Sequence, residues 1–277
     1  MKKIGFIDYY ISEWHANNYP EWIKAASKKM GEDFAVAYAW AEIDVSPEDG
    51  VSTDEWCEKY GAEKCGSIAE LCEKSDYILI LSPSNPEKHL AYAKEAFKCG
   101  KNTYVDKTFA PDFDTAKEIF DTAEKYGTRF FSSSALRFAD ELSKLSPSDT
   151  LKISGGGRSI EEYIIHQIEM AVKVQGVGAG TVSLKKRCGV AKIEISYPDG
   201  RLSTLSYKDS SSFSVNSKPI KSQFFVNLIS DILRFYLTGE VSFDTAQTLE
   251  VIKIRDAVIA LSKRAARSVF DKYKDKF

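Results

Sequence analysis

Residues 75–83 read Ser75-Asp76-Tyr77-Ile78-Leu79-Ile80-Leu81-Ser82-Pro83, and residues 100–108 read Gly100-Lys101-Asn102-Thr103-Tyr104-Val105-Asp106-Lys107-Thr108. Tyr77 to Leu81 is a continuous apolar run, the pattern of a strand buried on both faces. Pro86 suits the first turn of the helix that follows, because its missing N–H costs nothing there. Gly100 can supply the left-handed cap that closes this helix, and Asn102 to Val105 is then a second strand. A further helix, capped by Asp112 or Asp114 and closed at Gly127, leads to a third strand at Arg129-Phe130-Phe131-Ser132-Ser133. Strands alternating with helices at this spacing predict right-handed βαβ units in a parallel sheet. Lys107 falls where the middle strand stops, at the edge where open α/β sheets bind ligands.

The same alternation extends towards the N-terminus. Lys3-Ile4-Gly5-Phe6-Ile7 and Phe34 to Trp40 are strand candidates, with a helix over 16–30 between them. Residues 42–52 are acidic, contain Pro47 and Gly50, and read as a loop; short helices are expected at 53–60 and 67–74. After about residue 147 the pattern changes. Val190 to Tyr197 alternates, turns at Pro198-Asp199-Gly200 and alternates again to Tyr207, a hairpin signal. Leu151–Ser154 and Thr181–Lys186 add strands, and 221–238 and 244–270 have helical apolar spacing. The expected fold is therefore a Rossmann-like parallel-sheet domain over 1–138. An α+β domain with a mostly antiparallel, open-faced sheet follows over 139–277. An open apolar sheet face is often covered by a second subunit, so a homo-oligomer through the C-terminal sheet is expected.

Composition removes several classes of function. The 277 residues carry a net charge of −2, with 43% hydrophobic and 28% charged residues. That balance gives no reason to expect nucleic acid or an anionic membrane as partner, and no apolar run has the ~20 residues needed to span a bilayer. The apolar stretch after Met1-Lys2-Lys3 ends at Asp8, too soon for a secretory core. The five cysteines are odd in number and form no CxxC pair, which fits reduced thiols in a cytoplasmic protein. No metal is expected: the chain has only His15, His89 and His166, and no Cys–His cluster has zinc spacing.

Two constellations carry the chemistry. Lys107 at the strand end can donate a hydrogen bond to a substrate oxygen; residue type alone favours a solvated lysine paired with Asp106. The second is Ser159-Ile160-Glu161-Glu162-Tyr163-Ile164-Ile165-His166-Gln167-Ile168-Glu169. Ser159 and Glu162 form a capping box that starts a helix. Glu162, His166 and Glu169 then share one helix face. A histidine between two acids can serve as a general base, and the same spacing also fits a surface charge ladder.

The order of these pieces resembles the Gfo/Idh/MocA oxidoreductases, named for glucose–fructose oxidoreductase and inositol dehydrogenase. Family members show Thr-Pro after an apolar strand, a helix with an early His, Gly-Lys-x-Val, then Glu-Lys-Pro. Here Ser82-Pro83, His89, Gly100 to Val105 and Asp106-Lys107-Thr108 stand in those places, and Leu136-Arg137-Phe138 matches a frequent later segment. Glu162 to Glu169 resembles Asp-x-Gly-x-His-x-x-Asp, with Ile164 in the glycine position. The resemblance implies an NAD-dependent oxidoreductase acting on a secondary alcohol of a sugar or polyol. His166 would be its general base, oriented by Glu162 or Glu169, with Lys107 on the substrate oxygen and Tyr163 touching the ligand. It also implies that Ser82, Pro83, Ser84, Asn85, His89 and Asp106 line the cofactor. For His89 and His15 a packing or capping role is an equal reading.

The pattern breaks at one place. Where the family has Gly-x-Gly after the first strand, this chain has Asp8-Tyr9-Tyr10-Ile11-Ser12. The glycines serve a tight turn and close approach of backbone to pyrophosphate; Asp8 adds charge there and Tyr10 adds bulk. After the second strand, Trp40 can stack on or block an adenine, and Glu42 can reach a ribose diol. Glu42 has no neighbouring Arg or Lys, which favours NAD over NADP. Either the loop is rebuilt and still takes NAD, or the chain keeps the fold as a non-catalytic ligand-binding or regulatory protein that has lost the dinucleotide.

Overall fold

A computed structural model describes residues 1–208 and 210–273, with side chains through 264. The chain divides into two compact units, Met1–Ser134 with Phe225–Thr248, and Ala135–Phe224 with Leu249 onward.

In the first unit, β1 (Lys2–Asp8), α1 (Trp14–Met30), β2 (Phe34–Ala41), α2 (Thr53–Tyr60), β3 (Glu63–Lys64) and α3 (Ile68–Lys74) are followed by β4 (Tyr77–Ile80). Then come α4 (His89–Ala96), β5 (Thr103–Val105), α5 (Phe113–Tyr126) and β6 (Phe130–Ser132). The strands form one sheet in the order β3-β2-β1-β4-β5-β6, and every pairing is parallel. This is the doubly wound arrangement, and its strand order reverses between β1 and β4, the place where such sheets bind ligands. Local chemistry accounts for the helix ends. Asp112 caps α5 by accepting the Thr115 N–H at 2.8 Å. Gly31, Gly61, Gly100 and Gly127 close helical segments in the left-handed conformation. Gly5, inside β1, lets α3 approach the sheet: a Cβ there would stand 2.4 Å from Leu71 and from the Ser75 hydroxyl.

The second unit holds α6 (Asp140–Ser143), β7 (Thr150–Gly156), α7 (Ile160–Gln175), β8 (Thr181–Arg187), β9 (Val190–Ser196), β10 (Leu202–Lys208), β11 (Ser214–Val215) and β12 (Lys218–Pro219). Its sheet runs β12-β11-β7-β10-β9-β8, antiparallel except for the β7–β10 pair. One side is apolar and buried, including Leu151, Ile153, Ile193, Ile195 and Leu205, and α7 packs on β7 and β10. The other side carries Lys152, Ser183, Lys185, Lys192, Glu194 and Thr204, all exposed or half-exposed. The face left open is thus polar.

Two helices remain, α8 (Phe224–Thr238) and α9 (Ala246–Tyr273). A single cut near residue 138 does not separate the units, because Phe225–Thr248 packs with the first. The Tyr236 hydroxyl donates to the Ile78 carbonyl at 2.7 Å, its ring stacks on Tyr77 at 4.7 Å, and Phe235 meets Phe131 edge-on. No helix among the described residues is long and apolar enough to cross a membrane.

Candidate functional site

The turn from β1 into α1 is built around two internal acids. Asp8 ends β1 and is 1% exposed. Its Oδ1 accepts the backbone N–H of Tyr9 at 2.7 Å and that of Ser82 at 3.0 Å, with the Ser82 hydroxyl at 3.3 Å. Asp8 therefore bridges β1 to the end of β4, across the point where the strand order reverses. Burial, and then the charge of Glu13, push its carboxyl well above the usual carboxylate range. Its Oδ2 has no hydrogen-bond partner among the described residues, so the proton has an oxygen free to take it. Glu13 caps α1, accepting the N–H groups of His15 at 2.8 Å and Ala16 at 2.5 Å. His15 follows, its Nδ1 3.5 Å from Glu13 and 3.4 Å from Asp106. Asp106 is itself 1% exposed and accepts from the Tyr104 hydroxyl at 3.3 Å.

The rest of the loop is held against residues 42–52. Tyr10 donates its hydroxyl to Glu48 at 2.8 Å, Ser12 to Asp49 at 2.7 Å, and the Ile43 N–H bonds the Tyr9 carbonyl. Ile11 is buried at 1% exposure. Glu42 is engaged as well: Lys88 pairs with it at 2.5 Å and the Tyr92 hydroxyl donates at 2.7 Å. The Lys88 hydrogen bond holds the Glu42 carboxyl below the usual range. The Lys88 ammonium also stands 4.8 Å over the Tyr9 ring, and Trp40 meets Tyr92 edge-on at 5.6 Å. This corrects one expectation. Glu42 has no cation beside it in sequence, but folding brings Lys88 to it from the start of α4, so charge no longer separates NAD from NADP.

Lys107 is half-buried just past β5. Among the described residues it has no hydrogen-bond or ion-pair partner, and Asp106 is engaged elsewhere. Its ammonium is thus available to an oxygen of a ligand. The Lys107–Thr108 peptide bond is cis. Ser82 has positive φ and Pro83 is buried; Ser84 is exposed, and Asn85 bonds Glu87 at 3.1 Å. His89 is fully buried, with Nδ1 3.0 Å from the Phe109 carbonyl and Nε2 against that of Leu81. Burial lowers its pKa. It ties two loops together, the packing role its residue type allowed.

The second unit holds the other expected residues. Ser159 caps α7, accepting the Glu162 N–H. Each acid flanking His166 is engaged by an arginine: Glu162 by Arg158 at 2.7 Å, and the buried Glu169 by the buried Arg137. The His166 ring packs 5.8 Å from both Tyr163 and Phe213. Phe213 and the run Gly155-Gly156-Gly157 escaped the sequence reading. A Cβ at Gly155 would fall 2.3 Å from the Phe213 ring, and one at Gly157 2.2 Å from that of Tyr163. The glycines thus allow both aromatic rings to reach the backbone beside His166. Three glycines ending a strand were the available signal. Among the described residues no group of His, Cys, Asp and Glu converges as a metal site would.

Residues 28–134 match the Gfo/Idh/MocA profile, described as an oxidoreductase family with an NAD-binding Rossmann fold. Over these residues the chain is similar to this family. The match begins beyond the Asp8–Glu13 turn. The uncharacterized oxidoreductase YhhX of Escherichia coli K12 is 36% identical over 60 residues, which are 22% of this chain and only 17% of YhhX. A "probable dehydrogenase" of Thermotoga maritima superposes with a TM-score of 0.75 at 13% identity, over 95% of this chain and 97% of the other. The aldose-aldose oxidoreductase of Caulobacter crescentus gives 0.73 at 12% identity, over 95% and 98%. At such identities these structures establish the shared fold alone.

The family's dinucleotide does not fit the donors of this turn. A pyrophosphate needs unpaired N–H groups at the strand end and helix start, and a turn small enough to let it approach. Here the Tyr9 N–H is taken by Asp8 and those of His15 and Ala16 by Glu13, and the turn carries Tyr9, Tyr10 and the buried Ile11. Two buried carboxyl groups, Glu13 and Asp106, stand 3.5 and 3.4 Å from the His15 Nδ1, and a further anion beside them in this low-dielectric place would be repelled.

Proposed function

We propose that this chain binds a small polyhydroxylated molecule of the sugar or polyol class and does so without a dinucleotide held in the family's manner. The observation that carries the reading is the Asp8 bridge from β1 to Ser82, which takes the place and the donors a pyrophosphate would use. Lys107, with an ammonium unclaimed by the described residues, supplies a charged donor to a ligand hydroxyl. Tyr163, His166 and Glu162 supply an aromatic surface and polar groups for the same class of ligand. The Caulobacter relative acts on aldoses by its name, which supports the choice of ligand class.

A second reading, a dehydrogenase using NAD or NADP, is favoured by the family match over 28–134 and by the same available Lys107. In it Lys107 steadies the substrate oxygen. It requires Asp8 and Glu13 to release their N–H partners.

Calorimetry with a panel of sugars and polyols, with and without NADH, separates the two. The first reading expects saturable binding indifferent to NADH. Lys107→Met should weaken it about tenfold, the loss of one charge-assisted hydrogen bond. Ligand binding that appears only with NADH present replaces the first reading with the second.

A further inference from the structure

Two of the five cysteines stand apart from the others. Cys72 lies in α3 and is 3% exposed; Cys99 is half-buried in the turn before Gly100. Both thiols meet the Ala96 carbonyl, Cys99 at 2.8 Å and Cys72 at 4.0 Å, so the two sulfurs face one oxygen. Lys101, two residues on from Cys99, binds carbonyl oxygens of Cys72 and Ser75. The neighbouring Cys72 thiol, and then the N–H and charge of Lys101, bring the Cys99 thiol down to about 6, while Cys72 is pushed up. Cys57 and Cys65 show the opposite behaviour, with burial raising both to about 11. A thiol of lowered pKa with a second thiol facing the same carbonyl is the arrangement of a peroxide-sensitive pair.

We propose that Cys72 and Cys99 form a redox-sensitive thiol pair, in which a peroxide oxidises Cys99 and Cys72 closes a disulfide. The Cys99 thiolate attacks one peroxide oxygen, the O–O bond breaks, and the leaving oxygen departs as water after protonation. Cys72 sulfur then attacks the Cys99 sulfenic sulfur; the S–S bond forms, the S–O bond breaks, and a second water leaves with the Cys72 proton. One peroxide is reduced and two thiols are oxidised. The bond would join α3, the helix that packs against Gly5 of β1, to the turn leading into β5.

The test is hydrogen peroxide treatment of the full chain, followed by alkylation of remaining thiols after unfolding and mass spectrometry of the peptides. The expected result is a product lighter by two hydrogens, with a Cys72–Cys99 linked peptide that a dithiol reductant reverses. Cys72→Ser should leave Cys99 as a sulfenic acid that dimedone traps. In untreated native protein, Cys99 alkylation should rise through a pH of about 6. Peroxide that oxidises Cys188 first, or that leaves Cys72 alkylatable while Cys99 is oxidised further, overturns the proposal. The wild-type peptide map decides the matter even if a serine variant does not fold.

Discussion

Asp8 and Glu13 offer their own carboxyl oxygens to the N–H groups that a dinucleotide-binding turn leaves for pyrophosphate. The consequence for stability has a definite sign. Burial raises the Asp8 pKa in the folded protein, while the unfolded value is about 3.9. The folded state therefore holds a proton that the unfolded chain has released, and stability falls as pH rises from the unfolded value through the folded one. Asp8→Asn keeps an acceptor for Tyr9 and Ser82 and removes the ionisation. Thermal unfolding across pH should show the variant melting higher than wild type at neutral pH, with the gain vanishing in acid; a variant less stable at every pH would contradict this. The missing glycines and the acid at position 8 were legible in the sequence; that burial keeps Asp8 protonated, without the charge expected there, was not. The Glu13 cap was not, since glutamate is outside the usual N-cap set. Nor was Lys88, which reaches Glu42 from 46 positions away.

At the scale of elements, the βαβ reading of 75–138 holds because each boundary has a local cause. Apolar runs make β4 and β5, Asp112 starts α5, and Gly100 and Gly127 end helical segments. The pairing within the second sheet was less readable. The hairpin of β9 and β10 follows from alternation and the 198–200 turn, whereas the parallel β7–β10 contact joins segments about 50 residues apart and has no local signature. The same holds for the glycines ending β7. A Cβ at Gly156 would stand 1.5 Å from the Lys208 carbonyl oxygen of β10, backbone that cannot swing aside. Gly156→Ala should therefore destabilise the protein by about 3 kcal/mol, the upper part of the overpacking range. Denaturant unfolding measures it, and a change below about 0.5 kcal/mol, as for a neutral surface site, would show that the two strands can part there.

Across the whole molecule, the fold shared with the Thermotoga and Caulobacter structures is kept over nearly the full chain, while the turn from β1 into α1 carries its own acids, Asp8 and Glu13. A TM-score of 0.75 at 13% identity shows how far sequence can drift under one architecture, and function has to be argued from the site. The central claim, that the chain's own acids fill the dinucleotide anchor, is tested most directly by titrating folded, nucleotide-free protein with NADH and NADPH. Binding is followed by calorimetry and by the fluorescence of Trp14, Trp22 and Trp40. No saturable binding of either nucleotide is predicted. Saturable micromolar binding of one of them would contradict the account and show that the Asp8–Glu13 turn opens to admit a pyrophosphate.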